Sequence, residues 1–88
     1  MDVVMNVKEY SPEVGLHLVW DEEAGILVTF DHGEVRVRGN ASGLRTLARH
    51  LLTLAQAGVP SGSHVHLDDL SGLEDDSVPV VLERDDRL

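Results

Sequence analysis

The chain has 88 residues and a formal charge of −9, from 7 basic and 16 acidic side chains. That balance argues against nucleic acid and anionic membranes, whose binding needs Lys and Arg to neutralise phosphates, and it favours a basic protein partner through electrostatic steering. Cysteine is absent, so disulfides, thiolate metal sites and thiol nucleophiles are excluded, and a cytoplasmic protein is expected.

The length fits one domain, residues 1–88, whose core is small enough that a partner or dimer mate would add to its stability. Hydrophobic content is 42%, ordinary for a folded protein. Tyr10, Trp20 and Phe30 are the only aromatic residues, too few to build a stacking platform for single strands. Met1–Asn6 shows no basic, apolar secretion pattern, so no leader is expected. No stretch reaches the roughly 20 apolar residues of a membrane span.

Val3–Tyr10 alternates loosely and reads as a first strand, closed by a turn at Ser11-Pro12-Glu13. Val14–Trp20 reads as a second, with Leu16, Leu18 and Trp20 sharing a face. Asp21–Gly25 forms a loop. Ile26–Phe30 is a third strand with Ile26, Val28 and Phe30 together. Asp31-His32-Gly33 is a tight connection into a fourth, Glu34–Arg38, with Val35 and Val37 facing inward.

A helix follows. Asn40 or Ser42 supplies the N-cap; Leu44, Leu47, Ala48, Leu51, Leu54 and Ala55 recur at helical spacing, and Arg45, Arg49 and His50 fall off that stripe. Gly58 and Pro60 end it.

Ser63-His64-Val65-His66-Leu67-Asp68-Asp69 alternates again. Val65 and Leu67 face the core, while His64, His66 and Asp68 form one outward row. Asp69–Ser77 is an acidic loop, pinned by Leu70 and Leu73. Val78–Glu83 is a last strand, at an edge because of Pro79, and Arg84–Leu88 is a charged tail.

The expected fold is therefore α+β: a single, mostly antiparallel sheet of five to six strands in the order β-β-β-β-α-β-β, with one helix on one face. A crossover through the helix would be right-handed if its strands were parallel. The uncovered face would carry Val4, Val19, Leu27 and Val81, which points to a homodimer or a protein-binding surface.

Three chemistries compete for the His64 region. His64 and His66 are metal ligands by type, for Zn²⁺ or Ni²⁺. Asp68 would need to join them, yet a straight row from His64 to Asp68 spans about 13 Å, so a third ligand from His17, His32 or His50 fits better. Acid–base catalysis has residues but no nucleophile motif and no phosphate-cradling loop, so no enzyme and no cofactor is expected. The helix start at Gly39–Gly43 is anion-binding in type, but N-capping explains it. The third option is a protein-binding surface of Asp68, Asp69, Glu74, Asp75 and Asp76. Residues 61–88 hold eight acidic residues against two basic ones, a net of −6, where the first 60 carry −3.

Gly39-Asn40-Ala41-Ser42-Gly43-Leu44, Leu47-Ala48, Leu51–Ala55, Ser63–Asp68, Leu73, Ser77 and Val80–Arg84 together resemble the small bacterial immunity proteins of polymorphic toxin systems, family thirty-two in that numbering. The resemblance covers residues 39–84. It implies a cytoplasmic, non-enzymatic protein that binds and neutralises a cognate toxin. His64, His66, Asp68 and Asp69 are the matching residues to suspect first, with Glu74, Asp75 and Asp76 beside them. The acidic charge adds that the toxin is basic.

Overall fold

The computed structural model describes all residues, Met1–Leu88. Its elements are β1 (Ile26–Asp31), β2 (Glu34–Gly39), α1 (Ala41–Leu54), β3 (His64–Leu67) and β4 (Val80–Glu83). β1 pairs antiparallel with β2, and β3 antiparallel with β4, as two separate two-stranded sheets. The fold remains α+β, but the expected single sheet of five to six strands is wrong on two counts.

First, residues 1–25 form no strand; their one ladder contact is an isolated bridge between Ser11 and Gly15. The alternating pattern there has no strand to pair with. Side chains of α1 and its C-terminal flank capture the backbone instead. Arg49 Nε donates to Asn6 O (3.1 Å), and Gln56 Nε2 donates to Lys8 O (3.0 Å). Tyr10 N donates to Gln56 Oε1 and Asp21 N to Thr46 Oγ1, each at 3.0 Å. An ion pair of 2.7 Å between Arg49 and Asp21 closes the set. Residues 1–25 thus form an arm fastened along the helix, its backbone polar groups satisfied from the side.

Second, no ladder joins the two hairpins, although the segment before β4 lies along the free edge of β1. Glu74 N donates to Ile26 O and Val78 N to Val28 O, both at 2.8 Å, while Val28 N donates to Ser77 Oγ (3.1 Å). Asp76 sits at φ +72 and Pro79 lacks an N–H, so the chain cannot run through 74–83 as one regular strand. The ladder starts afresh at Val80, against β3. The expected strand Val78–Glu83 is therefore shortened.

The helix starts as its sequence requires. Asn40 Oδ1 accepts from Gly43 N (2.7 Å) and Gly25 N (3.0 Å), and Asn40 Nδ2 donates to Glu23 O (2.9 Å). One side chain caps α1 and ties it to the loop before β1. The buried face, however, is Gly43, Thr46, His50, Thr53 and Leu54; Leu44, Leu51 and Leu52 are half exposed. Gly43 lies so close to Gly25 O that a Cβ would overlap it. That contact sets which face turns inward, and the two threonines on it have partners, Thr46 in Asp21 N and Thr53 in Arg49 O.

The core is Ile26, Val28, Leu67 and Leu73, with Trp20, Leu47, Val80 and Leu82 against it. Ten of 88 residues are buried, which is the small core the length implies. Val35 and Val37, expected inward, are exposed because β1–β2 projects beyond this core. No helix is long and apolar enough to cross a membrane.

Candidate functional site: a braced acidic loop beside the histidine strand

β3 presents its two faces as period-two geometry dictates. Leu67 is buried and Val65 half-buried, while His64 and His66 are exposed. In the register with β4, His64 lies opposite Glu83 and His66 opposite Val81. The two imidazoles meet edge to face, centroids 5.1 Å apart, and His64 Nδ1 is 3.0 Å from Gly62 O. No group of three or more His, Asp or Glu side chains is placed to hold a metal ion. His17, His32 and His50 do not join this pair; His50 lies buried under Trp20.

Asp68 leaves the row. Its Oδ1 accepts from Leu70 N and Ser71 Oγ, both at 2.9 Å, and its own N–H donates to Ser71 Oγ (2.9 Å). Its carbonyl takes Leu73 N (2.9 Å) and Ser71 N (3.1 Å). Its Oδ1 is spent on building the turn that ends β3, while the half-exposed side chain keeps Oδ2 free.

The loop that follows is exposed but braced. Asp69, Glu74, Asp75 and Asp76 are all solvent-facing. Leu73 is buried in the core, and the backbone is held by the bonds from Glu74, Ser77 and Val78 to β1. The indole of Trp20 covers Gly72 so closely that a Cβ would overlap the ring. Of the two leucines expected to pin the loop, only Leu73 does. Leu70 is 94% exposed, an apolar side chain presented next to Asp69.

A braced loop carrying four exposed carboxylates and one exposed leucine is suited to binding another protein. Its carboxylates accept charge-assisted hydrogen bonds from Arg and Lys, and the bracing lowers the entropy lost on association. Leu70 was not legible as a presented residue, since nothing in the sequence separates it from Leu73. The turn-building role of Asp68 was missed by placing it in the histidine row, although Asp68-Asp69-Leu70-Ser71 is a turn signature that could have shown it.

A family model described as immunity protein 32 matches residues 34–85, more than half of the chain. The matched segment begins with β2 and takes in α1, β3, the acidic loop and β4. No curated protein and no solved structure matches the chain.

Proposed function

The chain belongs to the immunity protein 32 family, and from that premise we propose that it neutralises a cognate toxin domain by binding it through the acidic loop and the adjoining His64–His66 strand. The observation that carries the reading is the family match itself. Immunity by binding needs no catalytic group, and the mechanism is occlusion of the toxin by a rigid surface.

The charge distribution supports a basic toxin. Asp69, Glu74, Asp75 and Asp76 are exposed on one loop, at the acidic end of an acidic chain. Leu70, next to Asp69, supplies exposed apolar area that charge alone does not, and His64 and His66 extend the surface along β3. Rim carboxylates act mainly on the association rate and on its salt dependence. Asp68 stabilises the loop and does not contact the toxin in this reading.

The test is co-expression of the cognate toxin with wild type and with a variant carrying Asp69→Lys, Glu74→Lys, Asp75→Lys and Asp76→Asn, the last kept to a side chain that tolerates the positive φ there. The expected result is loss of protection and an association rate at low salt reduced roughly tenfold or more. The thermal midpoint should stay near wild type, because these side chains make no bonds within the fold. Protection as strong as wild type from a folded quadruple variant would reject the acidic surface.

A further inference from the structure

The edge of β2 is open. In a hairpin closed by the two residues His32 and Gly33, Asp31 and Glu34 form the first hydrogen-bonded pair, so backbone groups alternate in direction from there. Ile26 and Val28 point their carbonyls away from β2, as their bonds from Glu74 and Val78 show. By the same alternation, Val35 and Val37 point N–H and C=O away from β1, and neither has a backbone partner outside the hairpin. The strand has no proline and no lysine, the usual guards of an exposed edge. Phe30 and Val35 sit opposite each other on one face and are 63% and 64% exposed; Val37, next along that face, is 45% exposed.

We propose that a second copy of this chain occupies this edge, β2 against β2, antiparallel about a twofold axis through Val35. The sequence Glu34-Val35-Arg36 is complementary to itself in that register. Val35 faces Val35 of the second copy, and Glu34 faces Arg36 of the second copy on both sides of the axis. The neighbouring registers bring together like charges that this one keeps apart: pairing Val35 with Val37 sets Arg36 against Arg36 at the axis, with Glu34 against Arg38 on either side, and pairing Val37 with Val37 sets Arg36 against Arg38. The chosen register also continues an apolar row across four strands, from Phe30 through the two Val35 side chains to the second Phe30.

It further gives Glu34 a counter-charge that the isolated hairpin lacks, where Asp31 has His32 Nδ1 at 3.0 Å but Glu34 has no ion-pair partner. Asp31 and Glu34 are opposed across the β1–β2 pair, two like charges in direct apposition. In the dimer, Arg36 of the second copy flanks Glu34 on its other side. A basic toxin is a poor occupant for this edge, since Arg36 and Arg38 project from it; the acidic loop is elsewhere on the chain. The inference does not depend on the toxin reading.

The test is sedimentation equilibrium across a wide concentration range, on wild type, Glu34→Arg, Arg36→Glu and the double swap Glu34→Arg/Arg36→Glu. Circular dichroism and urea midpoints confirm that each is folded. The expected wild-type mass rises from 9.6 kDa toward twice that value. Each single reversal should weaken dimerisation roughly tenfold or more, since every change acts twice in a symmetric pair. The double swap should restore it. A concentration-independent monomer overturns the proposal, as does dimerisation unaffected by the single reversals. A wild-type monomer whose Val35 and Val37 amides become protected from exchange only when a toxin is added would also overturn it, and would assign the edge to the toxin.

Discussion

Protonation of His50 should couple the stability of this protein to pH in the near-neutral range. The ring is fully buried, packed edge to face on Trp20 with centroids 4.7 Å apart, and neither ring nitrogen has a protein partner. Burial lowers its pKa below the ordinary 6.5, and the neighbouring Arg49 charge adds to that. The unfolded chain takes up the proton near 6.5, whereas the folded chain resists it. Above that pH both states hold neutral imidazole and stability does not depend on this group. As pH falls below it, the unfolded state binds more protons, and stability drops by up to about 1.4 kcal/mol per pH unit. The loss levels off once pH passes the lowered folded value. Urea unfolding of wild type and His50→Leu, followed by the fluorescence of the single Trp20, measures the difference between about pH 7.5 and pH 5. His17, His32, His64 and His66 are exposed and cancel in the comparison. At the top of the range the two proteins should agree within about 1 kcal/mol, because losing an unpartnered buried donor offsets lost ring packing. Below about pH 6.5 the wild type should fall away from the variant. Parallel curves would refute the argument, since they would mean that folded His50 accepts a proton as readily as in the unfolded chain.

Two further substitutions test the joints of the fold. Gly43→Ala puts a methyl onto the Gly25 carbonyl, backbone that has little room to yield, and should cost about 3 kcal/mol, lowering the thermal midpoint by roughly 10–20 °C; an unchanged midpoint would show that α1 does not pack as described. Arg84 Nη1 donates to Leu54 O (3.1 Å) and Gln56 O (2.7 Å) at the end of α1, so Arg84→Met should cost about 2 kcal/mol in urea unfolding, with Arg84→Lys recovering only part; full recovery by lysine would show that charge alone matters there.

Where local chemistry decided the outcome, the sequence was readable. His32 and Gly33 adopt φ of +53 and +76, and the Asp31–Glu34 connection reads as a tight turn for that reason. Asn40 caps the helix, and β3 turns Leu67 inward and its histidines outward as alternation requires. Where the partner of a segment is distant, periodicity gave faces without neighbours. The arm at residues 1–25 has strand-like alternation, yet Arg49, Thr46 and Gln56 take its backbone polar groups, and no local pattern announces that. The helix misled for a related reason. Counting leucines placed Leu44 and Leu51 inward, whereas the closest approach, at Gly43, turned Thr46, His50 and Thr53 inward and kept only Leu47 and Leu54 of the expected leucines against the body.

The candidate site shows the same division. Extending the row from His66 to Asp68 treats the strand as continuing, but Asp68 and Ser71 share three hydrogen bonds within the turn, and the strand stops at Leu67. The exposed carboxylates of this region that make no bond within the fold are therefore those beyond the turn. Their presentation depends on residues outside the family-matched segment, which begins at residue 34. Ile26 and Val28 supply the carbonyls that hold Glu74 and Val78, and Trp20 covers Gly72. The conformation of the acidic loop is thus imposed by β1 and the arm. Substitutions in residues 1–33 that spare Trp20, Ile26, Val28 and the Gly25 contact with Gly43 can accumulate without moving the exposed surface of the acidic loop. A change at any of these would disturb that surface without touching it.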